Sequence, residues 1–184
     1  MDHFHDDVYG FSQGDLFSLY ECMVNRFESG SHFVEVGTFL GKSAVYMAVE
    51  IINSGKNIKF DCVDHWLGSE EHQDNENVNV DTLYEDFIKN IEPVKGVINP
   101  IRMSSTEASF LYKPNSLDFV FIDASHDVNS VKADLASWMI RVKENGVIAG
   151  DDIRSSGVSE AVSWFFDTTK LEIIGRQWMV DLGQ

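Results

Sequence analysis

Five short apolar stretches, separated by segments with helical periodicity, constrain the fold of this 184-residue chain more than any other feature. They lie at residues 33–36, 58–64, 98–103, 117–124 and 146–150, each short and apolar enough to be buried on both faces of a sheet. Residues 41–53, 80–91, 105–111 and 127–142 carry helical spacing between them. The last of these sets Val128, Val131, Leu135, Met139 and Val142 on one face, with Gly146 just beyond its end. A further amphipathic helix at 12–27 is marked by Leu16, Tyr20, Met23, Val24 and Phe27, with Ser12 and Asp15 at its start. Another, at 158–168, precedes two segments, 171–175 and 177–182, joined by Gly175-Arg176, a pair suited to a tight hairpin. Strands alternating with helices require right-handed crossovers. The expected fold is therefore α/β, a doubly wound and mostly parallel sheet with an antiparallel C-terminal hairpin strand at one edge. Neither a repeat nor a linker divides the chain, so residues 1–184 read as one domain: an N-terminal segment and helix over 1–30, and a core over 31–184.

Charge narrows the partner. Asp and Glu number 30 against 14 Lys and Arg, a formal charge of −16. Nucleic acid and anionic membrane are bound through clustered cations, so both are disfavoured and a small-molecule substrate is favoured. The same charge also serves solubility. No apolar run approaches the roughly 20 residues that span a bilayer, and the N-terminus M-D-H-F-H-D-D lacks the basic-then-apolar order of a secretory signal. Two cysteines, Cys22 and Cys62, make no disulfide framework, and Cys62 within a strand reads as a small buried hydrophobe. These features point to a reducing cytoplasm and leave room for a homo-oligomer.

The first strand runs into a glycine turn, E-V-G-T-F-L-G-K-S-A, from Glu35 to Ala44. Its Gly-Lys-Ser resembles a phosphate-binding loop, but that loop needs four residues between its first glycine and the Gly-Lys-Ser, and only three are present. Phe39 also occupies the middle glycine position of the dinucleotide pattern G-x-G-x-x-G. Glu35, just before the turn, would repel a triphosphate. A ligand with positive charge fits better, and S-adenosylmethionine carries both a sulfonium and an α-amino group. Gly37 and Gly41 would allow close backbone approach. Asp64, ending the second strand, is placed either to accept from ribose hydroxyls or to cap a helix. Lys42 reads as an exposed residue of the first helical turn.

On these residues the chain resembles the class I S-adenosylmethionine-dependent methyltransferases, with a Rossmann-like sheet. It is most similar to the metal-dependent O-methyltransferases of the catechol type, whose first motif is E-[LV]-G-x-[FY]-x-G-x-S-A. The resemblance covers residues 33 to 182. It implies a cofactor site lined by Glu35, Gly37, Thr38, Gly41, Ser43, Asp64, His65, Asp123 and the pair Ser104-Ser105 after the third strand.

Further on, L-D-F-V-F-I-D-A-S-H-D places Asp123 near the end of the fourth strand, and Asp151-Asp152 follow the fifth. Neighbouring parallel strands bring these ends together. Three convergent carboxylates need a neutralising cation, for which Mg²⁺ with oxygen ligands is suited. Alternatively, Asp123 caps the next helix and Asp151-Asp152 form a solvated turn. The resemblance favours a metal on Asp123, Asp151 and Asp152. Where catechol enzymes carry a basic lysine three residues after the first aspartate, this chain has His126. The D-x-x-H arrangement is similar to that of metal-dependent sugar and macrolide O-methyltransferases. His126 reads as either the base, by virtue of its near-neutral ordinary pKa, or a hydrogen-bonded loop residue.

The expected activity is methyl transfer from S-adenosylmethionine to a small-molecule hydroxyl, assisted by a divalent metal and by His126 with Asp123. The alternatives are a metal-independent methyltransferase with another acceptor, or a protein that binds the cofactor or S-adenosylhomocysteine without catalysis. His65, Trp66 and His72 flank Asp64 and would border the pocket. Residues 64–86, with eight acidic and no basic residues, form either a lid or a solvated loop. His3 and His5 look like a metal pair but read better as part of a mobile N-terminus, and Trp138 and Trp164 read as packing residues.

Overall fold

The computed structural model describes residues 1–12, 14–69, 75–76 and 78–184; His72 and much of the acidic stretch lie outside these residues. In chain order the elements are α1 (Gly14–Arg26), β1 (His32–Val36), α2 (Lys42–Ser54), β2 (Lys59–Asp64), α3 (Leu83–Asn90), β3 (Ile98–Arg102), α4 (Ser105–Ser109), β4 (Leu117–Ile122), α5 (Val128–Trp138), β5 (Val142–Gly150), α6 (Ser156–Phe165), β6 (Glu172–Ile174) and β7 (Gln177–Asp181). They build a seven-stranded sheet of order β3-β2-β1-β4-β5-β7-β6. The first five strands are parallel, while β7 runs antiparallel to both β5 and β6. The expected doubly wound sheet with its C-terminal hairpin is the observed one.

Strand residues alternate between two apolar layers. Phe33, Phe60, Cys62, Phe119 and Phe121 face Leu16, Tyr20, Ala44, Met47 and Phe87 of α1, α2 and α3. Val34, Val36, Val63, Val120 and Ile122 face Val131, Leu135, Trp138, Val158 and Val162 of α5 and α6. Helices thus cover both faces, and continuous apolar strands follow from burial on both sides. At α2, Gly55 ends the helix in the left-handed conformation at φ +69°, as Ser54-Gly55 suggested.

Four expectations require correction. Val142 and Gly146 belong to β5, not to a helix and its cap, because α5 stops at Trp138 and a single 3₁₀ turn (Met139–Arg141) leads straight into the strand. Trp164 is 75% exposed, with the Lys132 ammonium 4.9 Å from its ring centroid, and so does not pack in the core. Trp138 does, fully buried. The N-terminal segment is packed: His3 stacks on Tyr46 at 4.2 Å and its Nε2 lies 2.7 Å from Glu50, while His5 meets Tyr46 and Phe17 edge-on. That segment also covers Lys42, whose side chain is 17% exposed and pairs with Asp6 at 3.6 Å. Among the described residues, no helix is long and apolar enough to cross a membrane.

Candidate active site

The sheet order reverses direction between β1 and β4, and open α/β sheets bind ligands outside the carboxyl ends of their strands at such a point. Backbone hydrogen bonds stitch these ends together: Gly37 N–H donates to Val63 O (2.8 Å), Asp123 N–H to Val36 O (2.7 Å) and Asp151 N–H to Ile122 O (3.1 Å). The glycine turn therefore lies beside Asp123. Gly37 has φ +87°, and a Cβ there would sit 2.0 Å from the Asp123 carbonyl oxygen. Only glycine allows both the left-handed backbone and that contact. The close approach that Gly37 permits is thus first an internal one, between two loops of the site.

The polar groups of the turn are largely satisfied from within. Asp64 accepts from Phe39 N–H (2.9 Å) through Oδ2 and from Trp66 N–H (2.7 Å) through Oδ1. Trp66 Nε1 donates to Phe39 O (2.8 Å), and Asn90 Nδ2 to Leu40 O (2.9 Å). Trp66 is buried against Tyr84 and Phe87 and braces the turn from behind instead of bordering an open pocket. Thr38 is buried too. Gly41 starts α2 at φ +88° and packs against Phe87. His65 is half exposed, with Nδ1 accepting from Leu67 N–H at 2.9 Å.

Glu35 occupies a different place from the one expected of a direct seat for a cationic ligand. Strand alternation turns it into the α1–α2 layer, where it is 1% exposed. Tyr20 Oη donates to its Oε2 (2.7 Å) and Ser43 Oγ to its Oε1 (2.8 Å). Burial pushes its pKa up from 4.5 to about 7; the two hydroxyl donors pull the other way, and the nearby Asp64 charge adds a smaller upward push. Glu35 thereby ties α1 and the first turn of α2 to β1, beneath the glycine turn. Of the pair after β3, Ser104 Oγ donates to Glu107 Oε2 (2.5 Å). Ser105 is drawn into helix packing: its Oγ donates to Asp134 and accepts from Trp138 Nε1 at 2.9 Å. Burial raises Asp134 to about 6 against the Ser105 hydrogen bond.

The carboxylates beyond β4 and β5 do converge. One ligand atom each from Asp123, His126 and Asp152 lies within 4.8 Å of the other two. His126 Nε2 is 2.9 Å from Asp152 Oδ2. The expected trio contained Asp151 and kept His126 apart as base; in the structure His126 joins the trio, and Asp151 stands beside it. Asp151 Oδ1 accepts from Asp152 N–H (2.6 Å) and Gln177 Nε2 (3.0 Å). The loop makes this turn with Asp152 at φ +55°, a left-handed position that aspartate tolerates better than most residues. Gly157 helps as well, since a Cβ there would meet the His126 carbonyl oxygen at 2.1 Å. Burial, then the Asp151, Asp152 and Glu35 charges, push the Asp123 pKa well above the carboxylate range, opposed by Arg176. Burial also raises Asp151. A small cavity of about 10 Å³ lies among Asp123, Ser125, His126, Asp151 and Trp178.

Sequence reasoning missed four partners of the site. Tyr20 is one; the others are Arg176, Gln177 and Trp178 at the C-terminal hairpin. Arg176 Nη2 ion-pairs with Asp152, and its Nε lies 3.8 Å from Asp151 Oδ1. Gln177 Oε1 and Trp178 Nε1 are buried without a hydrogen-bond partner. A signal was available: an antiparallel strand beside β5 must start where β5 ends, and Gly150 indeed pairs with Trp178.

Compared with known families, residues 34–153 match a family described as "Methyltransferase domain"; that span holds the glycine turn, Asp123, His126, Asp151 and Asp152. No curated protein matches the chain in sequence. Among solved structures, the O-methyltransferase NovP aligns with a TM-score of 0.65 at 12% identity, over 91% of this chain and 79% of its own. Cofactor-bound Rv0187 from MTB aligns with a TM-score of 0.66 at 14% identity, over 98% and 86%. Aeropyrum pernix fibrillarin, in complex with natively bound S-adenosyl-L-methionine, aligns with a TM-score of 0.56 at 12% identity, over 90% and 75%. At such identities the likeness is one of fold.

Proposed function

The chain belongs to this methyltransferase-domain family, and from that premise we propose that it transfers a methyl group from S-adenosylmethionine to a hydroxyl of a small molecule. The observation that carries the reading is the meeting of Asp123, His126 and Asp152 beside the glycine turn, at the switch point of the sheet. The donor would lie along the carboxyl ends of β1 to β3, against Gly37, Thr38, Gly41, Asp64, His65 and Ser104. Glu35 would act from beneath, through Ser43, by fixing the turn. Two relatives of the fold were solved with S-adenosylmethionine or S-adenosylhomocysteine bound, which supports the choice of donor.

Two carboxylates and an imidazole fit a divalent cation in ligand type and separation, the carboxylates suiting Mg²⁺ or Mn²⁺ and the imidazole a transition metal. Asp123, His126 and Asp152 would hold it, with Asp151 beside them. When bound, the donor supplies an electrophilic methyl group and the metal supplies charge that lowers the pKa of a nearby hydroxyl. The remaining work falls to the chain. Asp152 orients the His126 imidazole through the 2.9 Å contact at Nε2. Where no metal occupies the imidazole, His126 can take the hydroxyl proton as the oxygen becomes nucleophilic; where one does, Asp123 keeps a second carboxylate oxygen for that proton. The packed loops around Gly37 and Gly157 hold these groups at fixed separations, and alignment of nucleophile and methyl carbon accounts for much of the rate. A second reading has its own support: Arg176 on Asp152 favours transfer without a metal, the carboxylates being neutralised from inside the fold.

The test is transfer from methyl-labelled S-adenosylmethionine to a panel of hydroxyl acceptors, run with Mg²⁺ and with excess chelator. The expected result is label on oxygen, lost in Asp123→Asn. Label on nitrogen or carbon acceptors alone would contradict the hydroxyl assignment, and full activity in chelator would select the second reading.

A further inference from the structure

Arg176 is placed with unusual care for a residue in a hairpin tip. Gly175 takes φ +63°, and a Cβ there would stand 1.9 Å from Asp15 Oδ2, so glycine lets the tip seat against α1. The Arg176 carbonyl accepts from Ile153 N–H at 3.0 Å, pinning the tip to the loop that carries Asp151 and Asp152. From this anchor Nη2 reaches Asp152 Oδ1, while His126 holds Oδ2. Both oxygens of the residue that would ligate a metal are therefore already engaged. The guanidinium is 38% exposed, with room to swing outward. Next to it, Gln177 Oε1 and Trp178 Nε1 are buried polar atoms left without partners, so the site's hydrogen bonding is incomplete in this arrangement.

We infer that Arg176 is the resident counter-ion of the carboxylate cluster, and that a divalent cation enters by taking Asp152 from it. The inference rests on the methyltransferase reading for the purpose of the site. A tethered guanidinium competes without dilution. If it occupies Asp152 nine-tenths of the time, roughly, the apparent metal affinity falls about ten-fold below that of the open site. The chain then binds metal weakly by design, and Arg176 sets how weakly.

The experiment uses Mn²⁺ as probe, its free fraction followed by electron paramagnetic resonance, on the full chain and on Arg176→Gln, with folding checked by circular dichroism. Arg176→Gln is expected to bind Mn²⁺ about ten-fold more tightly than the parent, and Asp152→Asn in the same background should remove the gain. Equal or weaker binding by Arg176→Gln, or no binding by either protein, overturns the inference. Should Arg176→Gln fail to fold, a Mg²⁺ titration of the parent decides through the arginine Nε–H resonances. The Arg176 signal should move as the Asp152 amide moves; a static Arg176 signal at Mg²⁺ saturation refutes the exchange. Calorimetry with S-adenosylhomocysteine on the same samples separates the two levels. Retained binding with unchanged Mn²⁺ affinity removes the exchange alone, whereas no binding by the parent removes the methyltransferase reading.

Discussion

Replacing Glu35 by Gln isolates the buried carboxyl group beneath the glycine turn. In the folded chain Glu35 holds its proton until about pH 7, whereas its ordinary value is 4.5. Between these values unfolding releases a proton, so the contribution of Glu35 to stability is fully present below pH 4.5 and is lost as pH rises through about 7. At about 1.4 kcal/mol per pH unit the loss is on the order of 3 kcal/mol. Gln cannot ionise, so the variant should lack this slope. Its amide can accept from one hydroxyl and donate to the other, leaving a pH-independent offset of about 1 kcal/mol. Urea unfolding at several pH values between 4.5 and 8 measures both quantities. Asp134 and Asp151 are raised too and steepen both curves alike, whereas Asp123 also feels the Glu35 charge and loses that part of its upward push in the variant, so the difference between the curves reports Glu35 together with its coupling to Asp123. The parent should lose about 3 kcal/mol more than Glu35→Gln across that range. Curves parallel to within about 0.5 kcal/mol would refute the reasoning, because a Glu35 ionised throughout would give the parent no excess slope.

Other outcomes follow from the same geometry. Tyr20→Phe removes a donor that favours ionised Glu35, so the midpoint of that pH-dependent loss should move upward in the same unfolding series. Gly37→Ala combines a left-handed backbone with a Cβ 2.0 Å from the Asp123 carbonyl oxygen, and should cost about 3 kcal/mol or more, together with cofactor binding measured by calorimetry. Ser105→Ala leaves the indole N–H of Trp138 without its acceptor and Asp134 without its donor, a cost of about 1–3 kcal/mol in urea unfolding at neutral pH. His126→Ala should slow the chemical step, read in single-turnover methyl transfer, by about 10²–10⁴; an unchanged rate at every pH would remove the imidazole from the mechanism.

The sheet was legible because burial on both faces leaves a plain mark. Residues 33–36 and 117–122 are apolar at nearly every position, and the structure places them at the centre of the sheet. What stayed hidden depended on side-chain direction. Glu35, ending the first strand just before the turn, reads from sequence as facing a cationic ligand, but strand alternation sends it down into the α1–α2 layer, where Tyr20, fifteen residues earlier, meets it. Asp151 and Asp152 are adjacent in sequence, yet a left-handed residue between strand and helix sends one to Gln177 and the other to His126 and Arg176. The basic residue of the cluster comes from a hairpin turn, and no local pattern marks a turn arginine as part of a site. Trp164 failed for a similar reason, since α6 is apolar on more of its surface than the sheet covers.

The central claim is that the glycine turn serves an adenosyl cofactor and not a nucleoside triphosphate, and calorimetry with S-adenosylhomocysteine and with ATP, each titrated alone into the full chain, tests it most directly. One site for S-adenosylhomocysteine and no heat from ATP is the predicted result. Binding of ATP with no response to S-adenosylhomocysteine would contradict it.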